Sequence, residues 1–134
     1  MGALRTYLRS TLLGIALLTQ PAPSPALSED QGPAYFFATC AGRMSAVMEH
    51  QWLTDGPASE PTRSLRDAHL ALLDASTLPG QAASVLNLSI EAKAAQAALL
   101  SLATFDPDPD TRLRARLRAE ALVVACTALL LDQS

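Results

Sequence analysis

Proline placement decides where helices can run in this chain. Of nine prolines, the six beyond residue 26 (Pro33, Pro57, Pro61, Pro79, Pro107 and Pro109) all fall between apolar segments and never inside one. Proline has no N–H and clashes with the preceding helical turn, so it is tolerated in a first turn and breaks a helix interior. The stretches between these prolines are dominated by Ala and Leu and poor in glycine, which predicts an all-α fold. Four helices are expected. The first covers 33–54 and stops at Asp55-Gly56-Pro57. The second covers 61–77, with Ser59 or Glu60 near its cap. The third covers 79–105. The fourth covers 109–132, capped by Asp108 and opened by Pro109. Connections this short make neighbouring helices antiparallel, so the simplest architecture is an up-down-up-down antiparallel four-helix bundle.

Helical phase assigns faces. Phe36, Cys40, Met44, Val47 and Gln51 share one side of the first helix, widened by Phe37 and Met48. Leu65, Ala68, His69, Leu72 and Leu73 form the stripe of the second. The third carries two faces: a small-residue one (Ala83, Ile90, Ala94, Ala97, Ser101) suited to close approach, and an apolar one (Leu88, Ala95, Leu99, Leu102). The fourth is amphipathic over "TRLRARLRAE" and apolar all round over "ALVVACTALLL", so its end is expected to be enclosed. That run is too short to span a bilayer, which takes about 20 residues.

The N-terminus reads as a signal peptide: Arg5 and Arg9, a short apolar core over residues 11–19, then a proline-rich break ending in Ser24-Pro25-Ala26. Cleavage is expected after Ala26, with Ser28 as the alternative, leaving a tail over 27–32 and one helical domain over 33–134. An uncleaved anchor and a lipoprotein are the rival readings; Cys40 follows "FAT" rather than a lipobox. A bacterial periplasmic location is expected, with no stable membrane insertion after cleavage. Removing 26 of 134 residues leaves 108, enough for one modest core, and takes two arginines away, moving the net charge from −3 to −5. An acidic chain argues against nucleic acid as a partner.

Two cysteines remain, Cys40 and Cys126, and in an oxidising compartment one disulfide is the default. Their heights agree. Cys40 lies seven residues into the first helix, roughly 10 Å along it, and Cys126 six residues before the end of the fourth, roughly 9 Å. In an up-down bundle those levels coincide, so a bridge between first and last helices is expected. A redox or nucleophilic thiol is the alternative, but no CxxC supports it.

The same heights bring Arg43, His50, His69, Glu91 and Glu120 toward the middle of the bundle as a polar layer. Its ordinary role is a hydrogen-bonded ion network fixing helix register. Its alternative role is a metal site using His50, His69, Glu91 and Glu120, since imidazole and carboxylate suit zinc, iron or manganese. Against metal, the Glu-x-x-His pairs of di-metal bundles are missing and Arg43 would repel a cation. Haem attachment through CxxCH is ruled out; Met44 or Met48 with His69 would be the only b-type ligands. No phosphate loop or nucleophile motif occurs, so no catalytic residues, no cofactor and no enzymatic activity are expected. Trp52, at the edge of the first apolar face, either closes one end of the bundle or offers a surface contact, as does the arginine face of Arg112, Arg114, Arg116 and Arg118.

At "YFFATCAGRMSAVMEHQWL", "IEAKAAQAALL" and "ACTALLL" the chain resembles small exported helical proteins of proteobacteria. The resemblance implies export and brings no activity with it. The expectation is therefore a non-enzymatic exported helical module acting by protein interaction on an unidentified protein partner, in an accessory or assembly role, with a metal- or haem-binding bundle as the alternative.

Overall fold

The computed structural model describes residues 32–131. The signal peptide, its cleavage site and the tail through Gln31 lie outside the described residues. Those described form four α-helices, α1 (Pro33–Thr54), α2 (Ser59–Ser76), α3 (Ala82–Phe105) and α4 (Pro109–Leu131), with one 3-10 turn over Gly56–Ala58 and no strand among them. The fold is all-α, and Cys40 and Cys126 are joined, with Cα atoms 5.4 Å apart.

Local chemistry accounts for the boundaries. Pro33 opens α1, and Asp55 closes it by donating its N–H to Gln51 O at 2.7 Å. The Ser59 hydroxyl donates to Gly56 O, tying the 3-10 turn to the start of α2. The second helix thus starts two residues before Pro61, which sits in its first turn. The third departs from expectation: Pro79 does not open it. Leu78-Pro79-Gly80-Gln81 is a tight turn, with the Gln81 N–H donating to Leu78 O at 3.1 Å and Gly80 at φ 89°. Proline followed by a left-handed glycine favours this turn over a helical start, and α3 begins at Ala82. The fourth starts as its sequence dictates. Asp108 Oδ2 accepts from both the N–H and the hydroxyl of Thr111, a cap that also holds the Asp108 carboxyl below its ordinary value.

The helices are organised around α1. Both α2 and α3 pack along it, while α4 packs mainly on α3 and reaches α1 more narrowly, through the disulfide. Two apolar clusters result. Ala34 and Ala38 of α1 meet Val85 of α3 and Leu73 of α2. Cys40, Met44 and Cys126 are joined by Phe36, Leu65 and Val123. Each large apolar side chain enclosed this way contributes about 1.5–3 kcal/mol.

A second face of α1, built from Ala34, Ala38, Ala41, Gly42 and Ala46, is buried along with the one carrying Cys40 and Met44. Gly42 sets the closest approach: a Cβ there would collide with the Ser89 carbonyl and crowd the Lys93 amide of α3. Beside it, Lys93 Nζ meets Glu49 Oε1 at 2.6 Å.

Two expectations about faces are corrected. The small-residue side of α3 does not make the close approach. Ala83, Ile90, Ala94, Ala97 and Ser101 are all exposed, and Ser89 and Lys93 face α1 instead. Apolar residues occur nearly all round α3, so hydrophobicity does not select a side, and the gap at Gly42 does. The apolar run ending α4 is not enclosed either. Ala121, Val124, Ala125 and Ala128 are exposed, because that helix packs through the side carrying Ala115, Ala119 and Cys126 and no described element covers the other.

Candidate functional site

The expected polar layer does not assemble. Two of its five residues, Arg43 and His69, approach the disulfide. Arg43 is half-buried, with Nη1 3.9 Å from Cys126 Sγ. Burial, and secondarily the like charge of Arg118, hold its pKa below the usual arginine value. His69 is 0 % exposed, its ring beside Phe36 and Phe37 at centroid distances of 6.3 and 6.1 Å. Neither ring nitrogen has a hydrogen-bond partner among the described residues. Burial pushes its pKa down; the nearby Cys126 backbone carbonyl opposes this without a well-formed hydrogen bond.

The other three lie elsewhere. His50 is half-buried, with Nε2 3.2 Å from the Thr104 hydroxyl. Glu91 is exposed on a shallow groove with Tyr35 and Asn87. Glu120 is exposed on the flank of α4. The heights along the helices were legible, but rotation about each axis separates the side chains. Among the described residues no three His, Cys, Asp or Glu side chains are grouped to hold a metal ion. Met44 and Met48, the haem alternative's sulfur ligands, are core side chains at 1 % and 2 % exposure, and Arg66 Nη1 donates to Met48 Sδ.

The contact candidates divide. Trp52 is half exposed. Arg112 is occupied, its Nη1 donating to Asp106 O at 2.7 Å and Pro107 O at 3.2 Å. Arg114 is tied to Thr111 and Asp108. Arg116 and Arg118 are exposed on α4.

An apolar concavity lies where α1, α3 and α4 meet. It is a cavity of about 290 Å³. Val47 of α1, Leu100 and Ala103 of α3, and Val123 of α4 form apolar walls, while Arg116, Glu120 and Val124, all exposed, mark its mouth. Gln96 forms part of the wall at 1 % exposure. Its Nε2 donates to Ala119 O at 3.2 Å, which fixes the orientation of the amide, and its Oε1 has no donor among the described residues. Leaving a buried acceptor unpaired costs about 1–3 kcal/mol.

Sequence reasoning passed over Gln96, because it belongs to neither face assigned to the third helix. The signal that would have found it is a lone amide in "AKAAQAALL", in phase with Val85, Ala92 and Ala103. Compared with protein-family models, with curated proteins and with solved structures, the chain matches none.

Proposed function

We propose that the protein is an exported, non-enzymatic helical module of the periplasm that works by protein contact, with the outward side of α4 as its contact surface. One observation carries this reading. Leu113, Leu117 and Val124 are 53 %, 57 % and 63 % exposed, and their spacing places them on one side of the helix, opposite buried Ala115, Ala119 and Cys126. Aligned apolar side chains on an exposed helix mark an interaction surface more often than scattered ones do. Arg114 and Arg116 flank the stripe and Glu120 lies within it, so the partner of matching chemistry is an amphipathic helix whose apolar side carries charges of both signs. The reading includes an alternating up-and-down course for the four helices, supported by the short connections and the bridge between α1 and α4. The disulfide is compatible with an oxidising compartment.

A photo-crosslinking amino acid at Leu117, expressed in the native host, tests this surface. An adduct with one defined protein is expected at 117. It should be lost in Leu113→Glu and missing when the probe replaces Asp74, which is exposed on α2. Equal labelling at 117 and 74, or none at either, would exclude α4 as the contact surface.

A further inference from the structure

The exposed side of α4 is complementary to a second copy of itself. Leu113, Leu117, Glu120 and Val124 follow one another at spacings of four, three and four residues, the repeat of a helix that packs lengthwise along another helix. All four are exposed, and Ala121 and Ala128 beside them are exposed and small enough to let a second helix come close. Leu113, Leu117 and Val124 lie opposite the buried Ala115, Ala119 and Cys126, so covering them would not disturb the packing of α4 on α3. Within the four, Glu120 is the one charge. Arg116 lies one turn before it on the same flank, and neither side chain has an ion-pair partner among the described residues.

Glu120 decides the direction of such a pairing. In a parallel pair the two Glu120 carboxylates would share one layer and repel. In an antiparallel pair with its two-fold axis level with Arg118 and Ala119, Leu113 of one copy is level with Val124 of the other, Leu117 with Glu120, and Asp110 with Thr127. The two-fold sets each flank of one helix beside the same flank of the other. Each Glu120 then stands next to the Arg116 of the second copy, and the contact carries two such pairs. Resting on the reading of α4 as the contact surface, we propose that the protein contacted there is a second copy of this chain, in an antiparallel two-fold dimer held by Leu113, Leu117 and Val124 and by reciprocal Arg116–Glu120 ion pairs. Such a contact occupies the stripe of both copies and ends assembly at two.

Sedimentation equilibrium of the oxidised protein, with charge swaps as the probe, tests the pairing. The wild-type chain should be dimeric at about 100 μM. Arg116→Glu and Glu120→Arg each make both pairs repulsive and should weaken the homodimer about tenfold, the effect of exchanging two partly exposed attractions for two repulsions. An equimolar mixture of the two variants sets opposite charges at both pairs again. Heterodimers should therefore form at close to the wild-type affinity, a recovery that misfolded chains would not give. Arg118→Glu makes the same change of charge on α4 away from the stripe and should leave the dimer as it is. The proposal is overturned by a wild-type chain still monomeric at about 1 mM, by Arg116→Glu dimerising as well as wild type, or by a mixture no tighter than its separate components. The two readings fail separately. A monomeric chain that gives an adduct at 117 with a different protein overturns self-pairing and leaves α4 as the contact surface, whereas a dimer that forms without any adduct at 117 overturns both.

Discussion

His69 is enclosed between α1 and the disulfide with neither ring nitrogen hydrogen-bonded among the described residues, and this gives it a defined pH signature. Its folded-state pKa lies below the ordinary histidine value of 6.5, chiefly through burial. The unfolded chain therefore binds more protons than the folded one as pH falls below about 6.5, so stability is fully present above that value and is lost as pH falls toward the lower folded-state value. Replacing the ring by a hydrocarbon removes both the titration and the unpaired nitrogens. His69→Leu is expected to match or exceed the wild-type urea midpoint at pH 7.5, and its margin should widen at pH 5.5. Parallel pH dependence in the two proteins would mean that His69 is not held neutral. His50 is unchanged in both and drops out of the comparison. At this scale the sequence was informative where an apolar stripe had already fixed the phase: His69 sits among Leu65, Leu72 and Leu73, and it is buried. Arg43 only flanks the apolar stripe of α1, and Glu91 and Glu120 lie on helices with apolar residues on more than one side, so phase did not fix where these three point, and they fell to three separate places.

Between elements, the closest packing depends on what α1 lacks. Gly42 allows α3 to approach until the Ser89 carbonyl occupies the volume of a side chain. Alanine is the better helix former by about 1 kcal/mol, so propensity alone favours Gly42→Ala. The collision opposes it, and overpacking against backbone costs about 1–3 kcal/mol, with no flexible side chain to yield. The balance predicts a destabilised protein with a lower thermal midpoint, whereas Gly56→Ala, whose Cβ would meet nothing within 4 Å, should be nearly neutral. A stabilised Gly42→Ala would show that α1 and α3 are not held this closely. The helices themselves were legible because proline, glycine and Asp108 mark their ends. The error at Pro79 arose because Pro-Gly encodes a turn as readily as proline alone encodes a helical start. Which side of α3 faces inward was not legible, since the deciding feature is a gap on α1.

For the molecule as a whole, the bridge compensates for an uneven distribution of contacts. The α1 helix is surrounded by α2 and α3, while α4 rests mainly on α3 and is secured to α1 at Cys40–Cys126. The pairing could be read from helix heights. The central place of α1 could not, because its second buried side is alanine and glycine, which give little hydrophobic contrast. A crosslink spanning 86 residues restrains the unfolded chain by about 4–5 kcal/mol in the chain-entropy model. For a domain near 100 residues this corresponds to a fall in Tm of roughly 20 °C. The Cys40→Ala/Cys126→Ala variant should show a loss of that order. It should also show where the loss begins. If α4 is the least supported helix, amide hydrogen exchange should accelerate first over 109–131, with α1 and α2 retaining protection at temperatures below the new midpoint. The α1 and α2 amides would then exchange only through global unfolding. Exchange that rises together in all four helices would instead make the bridge a brace for the entire core.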